Sequence, residues 1–100
     1  MEEKCYINIW INEERNSRLA SAGLANLTED ALAGMKILRL QCIKEQKNKI
    51  LKLYPMAKYD SATTKSIELL PPEVKNEIFD LIIKKKSLNI LNEFLSSVIK

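Results

Sequence analysis

The chain has 100 residues, 46% of them hydrophobic and two of them glycine, which suits a single small domain and excludes a chain disordered by composition. A core of that size is modest, so oligomerisation is a natural supplement. The net charge of +3 is unevenly spread: residues 1–30 carry three basic and six acidic groups, 31–58 seven and one, and 59–100 six of each.

Residues 5–12, CYINIWIN, alternate with period two. Cys5, Ile7, Ile9 and Ile11 point one way, and Tyr6, Asn8, Trp10 and Asn12 the other, as in a strand with one aliphatic and one polar-aromatic face. The rest of the chain reads as helix. A lone strand leaves its backbone groups unpaired, so its mate is either a hidden part of the same chain or a second copy of itself.

The stretch NEERNSRLASAGLAN predicts a short helix over about 13–22. Glu13 and Glu14 suit its N-terminus through the dipole, and Gly23 and Asn26 supply stop and turn. LTEDALAGMKILRLQC predicts a stronger helix, with Thr28 as its cap and Glu29 and Asp30 in its first turn. Ala31, Leu32, Met35, Leu38 and Cys42 recur at helical spacing, widened by Ile37 and Leu40. KEQKNK (44–49) interrupts that stripe, which resumes at Ile50, Leu51, Leu53 and Tyr54. High helix propensity throughout favours one long helix with a solvated middle.

Residues 55–62 read as a connector, and 63–70 as one or two further helical turns. PPEVKNEIFDLIIKK starts a helix with proline in its first turn, where the missing N–H costs nothing. Val74, Ile78, Leu81 and Ile82 form its stripe, and Lys84, Lys85 and Lys86 suit its C-terminal end. SLNILNEFLSSVI predicts a last helix with Leu88, Leu91, Phe94, Leu95 and Val98 on one face.

The chain has no histidine, which removes the commonest general base and metal ligand. Cys5 and Cys42 are read as buried free thiols of a reducing compartment, and without histidine they build no zinc site. Neither glycine sits in a phosphate-cradling loop. The expectation is a non-enzymatic protein without cofactor or metal, lacking a membrane span and placed in the cytoplasm. Lys44, Lys47, Lys49 and Lys52 lie partly on one helical face, a solvated surface or a nucleic-acid contact.

Residues 5–45 resemble the ribbon-helix-helix family of DNA-binding repressors (the MetJ/Arc type) in order, length and patterning. Ile7, Ile9 and Ile11 match the family's core strand positions, and Tyr6, Asn8 and Trp10 the outward set. INEERNSRLASA is similar to the strand-to-helix transition, and NLTEDALAGMKIL to the turn and second-helix start. The resemblance implies a mainly α fold in which one N-terminal strand pairs across a homodimer. Residues 1–54 would form the dimerisation and DNA-binding region, 55–62 the connector, and 63–100 a helical extension for oligomerisation or a protein partner. It further implies a dimer core of Ile7, Ile9, Ile11, Leu32, Met35 and Leu38. DNA would be met by Lys4, Tyr6, Asn8, Trp10 and Thr28, with Asn8 reading bases in the major groove and the Thr28 region holding phosphate.

Two readings compete with the regulator. In one, Tyr6 and Trp10 bury against the C-terminal helices of a compact α+β protein. In the other, the chain is a helical interaction module, such as an antitoxin, inhibitor or accessory subunit. Its contact would be the C-terminal helices or the Tyr6/Trp10 face, since exposed aromatics suit a protein hot spot.

Overall fold

The computed structural model describes residues 4–62 and 65–98. In chain order the elements are β1 (Cys5–Ile11), α1 (Glu13–Ser21), β2 (Glu29–Asp30), β3 (Lys36–Cys42), α2 (Lys44–Leu53), β4 (Lys58–Asp60), β5 (Ser66–Glu68), α3 (Pro72–Lys85) and α4 (Leu91–Val98). The strands form one sheet in the order β2-β3-β1-β5-β4.

The alternation of CYINIWI does make a strand, and that strand is the centre of the sheet. Along one edge β1 runs antiparallel to β3 over its whole length, with Ile7 opposite Leu40, Ile9 opposite Leu38 and Trp10 opposite Ile37. Along its other edge it runs parallel to β5, with Tyr6 beside Ser66 and Ile7 beside Ile67. β2 adds to the outside of β3, and β4 to the outside of β5.

The inward residues of the two long strands, Cys5, Ile7, Ile9, Ile11, Leu38, Leu40 and Cys42, are all buried. They share one core with Leu19 of α1, Ile50 of α2, Val74, Ile78, Phe79 and Ile82 of α3, and Leu91, Phe94 and Leu95 of α4. All four helices therefore pack on the same face of the sheet. Each fully buried aliphatic or aromatic side chain contributes roughly 2–3 kcal/mol. Arg15 of α1 donates to Asn76 Oδ1 of α3 at 2.9 Å, and Arg18 pairs with Asp80 at 3.0 Å. Both guanidinium groups also lie over the Phe79 ring.

The five-stranded sheet replaces the expected mainly α fold with its single strand. The mate of β1 is its own chain, and both of its edges are occupied. No ribbon across a dimer forms from it, so the ribbon-helix-helix arrangement is not the architecture. Ile7, Ile9, Ile11 and Leu38 are core residues, but of one chain, while Leu32 and Met35 are exposed.

The helix expected from Thr28 is instead β2, a hairpin and β3. Met35, Leu38 and Cys42 satisfy helical spacing, but Leu38, Leu40 and Cys42 alternate equally well, and the sheet decides between the two periods. Ala31 N–H donates to Met35 C=O at 2.7 Å to close the hairpin, whose tip places Ala33 (φ 60) and Gly34 (φ 75) in the left-handed region. That geometry stops any helix from running through residues 33 and 34. Thr28 caps no α-helix; its Oγ1 donates to Ala25 C=O at 2.9 Å at the end of a short 3-10 turn.

α2 is consequently a separate helix, opened by the Gln46 amide oxygen accepting from Ile43 N–H at 3.0 Å. The expected connector contains β4. Of the helical turns expected over 63–70, residues 63 and 64 lie outside the described residues and 66–68 are β5. The helix opened by proline runs as α3, with Pro72 as its first residue. α4 covers the later part of the last expected helix, whose residue 99 lies outside the described span.

The cysteines are corrected too. Register sets Cys5 directly opposite Cys42 with Cα atoms 5.4 Å apart, within the range a disulfide spans, and the two are bonded rather than free. Thirty-seven residues of separation hid a pair that the β1–β3 ladder makes adjacent.

Candidate interaction surface

The outward residues of β1 and β3 build the other face of the sheet. Register places Tyr6 beside Gln41, Asn8 beside Arg39 and Trp10 beside Ile37, with Glu29 of β2 next to Ile37. No described helix covers this face. The Arg39 guanidinium lies 4.1 Å from the centroid of the Tyr6 ring and 3.9 Å from Glu29 Oε1, so it is fixed over the sheet. Asn8 is half-buried beside it, and among the described residues its buried amide oxygen meets no hydrogen-bond donor.

Most of the exposed large hydrophobic side chains lie at one end of the sheet. β1 finishes there, and β5, parallel to it, finishes there too. β3 and β4 are antiparallel to them and start there. α2 leaves the far end directly after β3, and its last residue Leu53 returns to this one. The end therefore gathers Leu32 and Met35 from the β2–β3 hairpin, Trp10 from β1, Leu69 after β5, and Leu53 and Met56 before β4. Among the described residues these are six of the seven large hydrophobic side chains that remain exposed; only Ile43 is at the opposite end. Leu32 is 85% exposed and Trp10 46%. Five strands spread the row across roughly 19 Å.

At the same end of the sheet an open pocket of about 500 Å³ is lined by Ile11, Asn12, Glu13, Asn16, Gly34, Met35 and Lys36. Its wall is the first turn of α1. Asn12 Oδ1 accepts from Arg15 N–H at 2.8 Å and starts the helix, while the Arg15 side chain donates back to Trp10 C=O at 2.8 Å. The Trp10 backbone is thus held rigidly under its exposed ring.

The residues expected to meet DNA are only partly brought together. Tyr6, Asn8 and Trp10 share the uncovered face, and Lys4 is exposed just before β1. Thr28 lies apart from them, ahead of β2. Sequence reasoning missed Arg39 and the partnership of Leu32, Met35, Met56 and Leu69. The signal for Arg39 was present in the alternation of LRLQC; the others are united only by strand order. Among the described residues no three histidine, cysteine, aspartate or glutamate side chains come together as metal ligands would. No described helix is long and apolar enough to cross a membrane.

A family model described as a family of unknown function (DUF6955) matches residues 5–95. The chain belongs to the DUF6955 family. No curated protein and no solved structure matches it. The span matched to DUF6955 takes in all five strands, α1 to α3 and most of α4, so both the core and the apolar end lie inside it.

Proposed function

We propose that this DUF6955 chain is a non-catalytic protein-interaction module that docks through the apolar end and uncovered face of its sheet. The observation that carries the reading is the convergence of Trp10, Leu32, Met35, Leu53, Met56 and Leu69 at one end. Exposed apolar side chains scattered singly need no explanation, but six gathered at one end of a sheet favour a contact surface. Trp10, Tyr6 and Arg39 beside it are the three residue types that most often dominate binding energy at protein interfaces. A pocket of about 500 Å³ is the size that accepts an anchoring side chain or short segment.

This reading does not need a DNA ribbon. The groove-entering strand pair required a free edge on β1, and β1 has none. On the uncovered face Glu29 accompanies Arg39, which favours a protein partner over a nucleic acid.

The test compares the tagged wild-type chain with a Trp10→Ala/Leu32→Ser variant. The wild type is expected to co-purify a stoichiometric protein partner that the variant loses, with both melting at the same temperature. Equal retention by the two, or salt-dependent retention on DNA in place of any protein partner, overturns the proposal.

A further inference from the structure

The outer edge of β3 is only partly paired. Ala31 N–H donates to Met35 C=O, so the odd-numbered residues from Met35 onward turn their backbone groups toward the β2 side. Cys5 and Cys42, with Cα atoms 5.4 Å apart, have the spacing of a hydrogen-bonded pair, so the even-numbered residues turn theirs toward β1. β2 pairs only with Lys36 and Ile37. Beyond it the N–H and C=O groups of Arg39 and Gln41 face outward, and none of the described residues hydrogen-bonds to them. Such a stretch is a template for another strand, and sheets commonly blunt it with lysine, proline or a bulge. Residues 38–42, LRLQC, carry none of these. The Arg39 guanidinium is drawn toward Tyr6 of β1 and Glu29 of β2.

Resting on the reading of the chain as a protein-interaction module, we infer that this edge takes an extended segment of a partner protein as a further strand beside β3. Outward N–H and C=O groups at strand spacing are matched by another extended main chain. A helix pairs its own groups internally and offers none. A second copy of β3 does not fit. Setting Arg39 across from Gln41 of the copy satisfies both residues, but it sets the copy's Ile43 across from Ile37, where Glu29 of β2 already stands. A segment of another protein need only fill the stretch from Arg39 to Ile43 and can turn away before Glu29. Its side chains on the open face would alternate beside Arg39, Gln41 and Ile43, the last of them 48% exposed. An aliphatic side chain suits the position across from Ile43, and an uncharged or acidic one that across from Arg39.

The probe is a capped peptide of alternating threonine and valine with a glutamate at each end, titrated into the isotope-labelled full chain and followed by NMR. In the free chain the Arg39 and Gln41 amides should exchange with solvent readily while those of Leu38 and Leu40 are protected. The peptide is expected to shift the Arg39 and Gln41 signals to saturation and to slow their exchange. The same peptide N-methylated at each threonine and valine has no donors to offer and should not bind. Gln41→Pro removes an N–H that points away from β1, so the β1–β3 ladder stays bonded. That variant should melt near the wild type and bind the peptide about tenfold more weakly; the N-methylated peptide decides the matter whether or not it folds. Trp10→Ala/Leu32→Ser, altered at the apolar end, should bind the peptide as the wild type does. Protection of Arg39 and Gln41 in the free chain, equal binding of the two peptides, shifts confined to other residues or no binding at all overturns the added strand and leaves the apolar end standing.

Discussion

The odd and even residues of β1 lead different lives. Ile7 and Ile9 are sealed beneath four helices, with at most 1% of their surface exposed, whereas Trp10, next in the chain to Ile9, keeps 46% of its surface. One strand thus serves as the floor of the core and as the ceiling of an uncovered face. Period two does the sorting: neighbours in the chain share a backbone but not an environment. The difference separates residues whose loss unfolds the protein from residues whose loss only silences a surface.

The sharpest way to break this contrast is Ile9→Lys. A lysine there faces Leu38 in a dry core with no carboxylate at hand, and such a burial costs several kcal/mol. Against a total stability of about 5–15 kcal/mol, urea denaturation should find the variant largely unfolded. Trp10→Ala, one residue away, should change stability by less than about 0.5 kcal/mol. Comparable losses at the two positions would mean that the outward face is covered.

Next in size is the Cys5–Cys42 bond, which ties the start of β1 to the end of β3. Closing a loop over 37 residues of separation restricts the unfolded chain by roughly 4 kcal/mol. Reduction, or Cys42→Ser, should lower stability by about that amount in denaturant titrations, and the oxidised protein should show no free thiol after unfolding. A smaller drop would locate more of the seam's strength in the Ile7–Leu40 and Ile9–Leu38 pairs.

Asn12 refines the contrast, because it follows β1 with an outward parity and yet serves the fold. Its side chain accepts from Arg15 N–H and starts α1. Asn12→Ala should cost about 1 kcal/mol in thermal or urea unfolding. That places it between Ile9 and Trp10, and a loss no larger than that at Trp10 would show the cap to be dispensable.

How far these roles could be read from residues alone varied with length and period. The faces of β1 were legible because seven residues alternate without interruption. α1 and α3 were legible from Glu13–Glu14 and from Pro72 with Lys84 and Lys85, which mark helix ends chemically. β3 was misread because KILRLQC is rich in leucine, which both periods accommodate, and because Thr28 followed by Glu29 and Asp30 imitates a helix start. Ala33–Gly34 was the available warning of a turn. β2, β4 and β5, of two or three residues each, have no period to read and exist by pairing, β2 with β3, β5 with β1 and β4 with β5. The expected face of Tyr6, Asn8 and Trp10 was legible, but the row from Leu32 to Met56 was not, since strand order unites it.

The smallest effect tests the far side of the core, where the helical layer meets solvent. Tyr54, at the C-terminal end of α2, has its phenol pushed above the ordinary value of 10.0, first by burial and then by the negative charge of Glu77 on α3. A pKa raised on folding means that the folded chain prefers the neutral phenol. Its contribution is therefore complete below pH 10 and fades as pH rises through the folded value. Tyr54→Phe should leave the melting temperature near neutral pH almost unchanged while flattening its decline above pH 10, measured as Tm against pH for both chains. Glu77→Gln should flatten the same limb less, because burial is the larger cause. If Tyr54→Phe leaves the alkaline limb as steep as before, the ring is in solvent, and the boundary between buried and open surface on the helical side runs inside Tyr54 rather than through it.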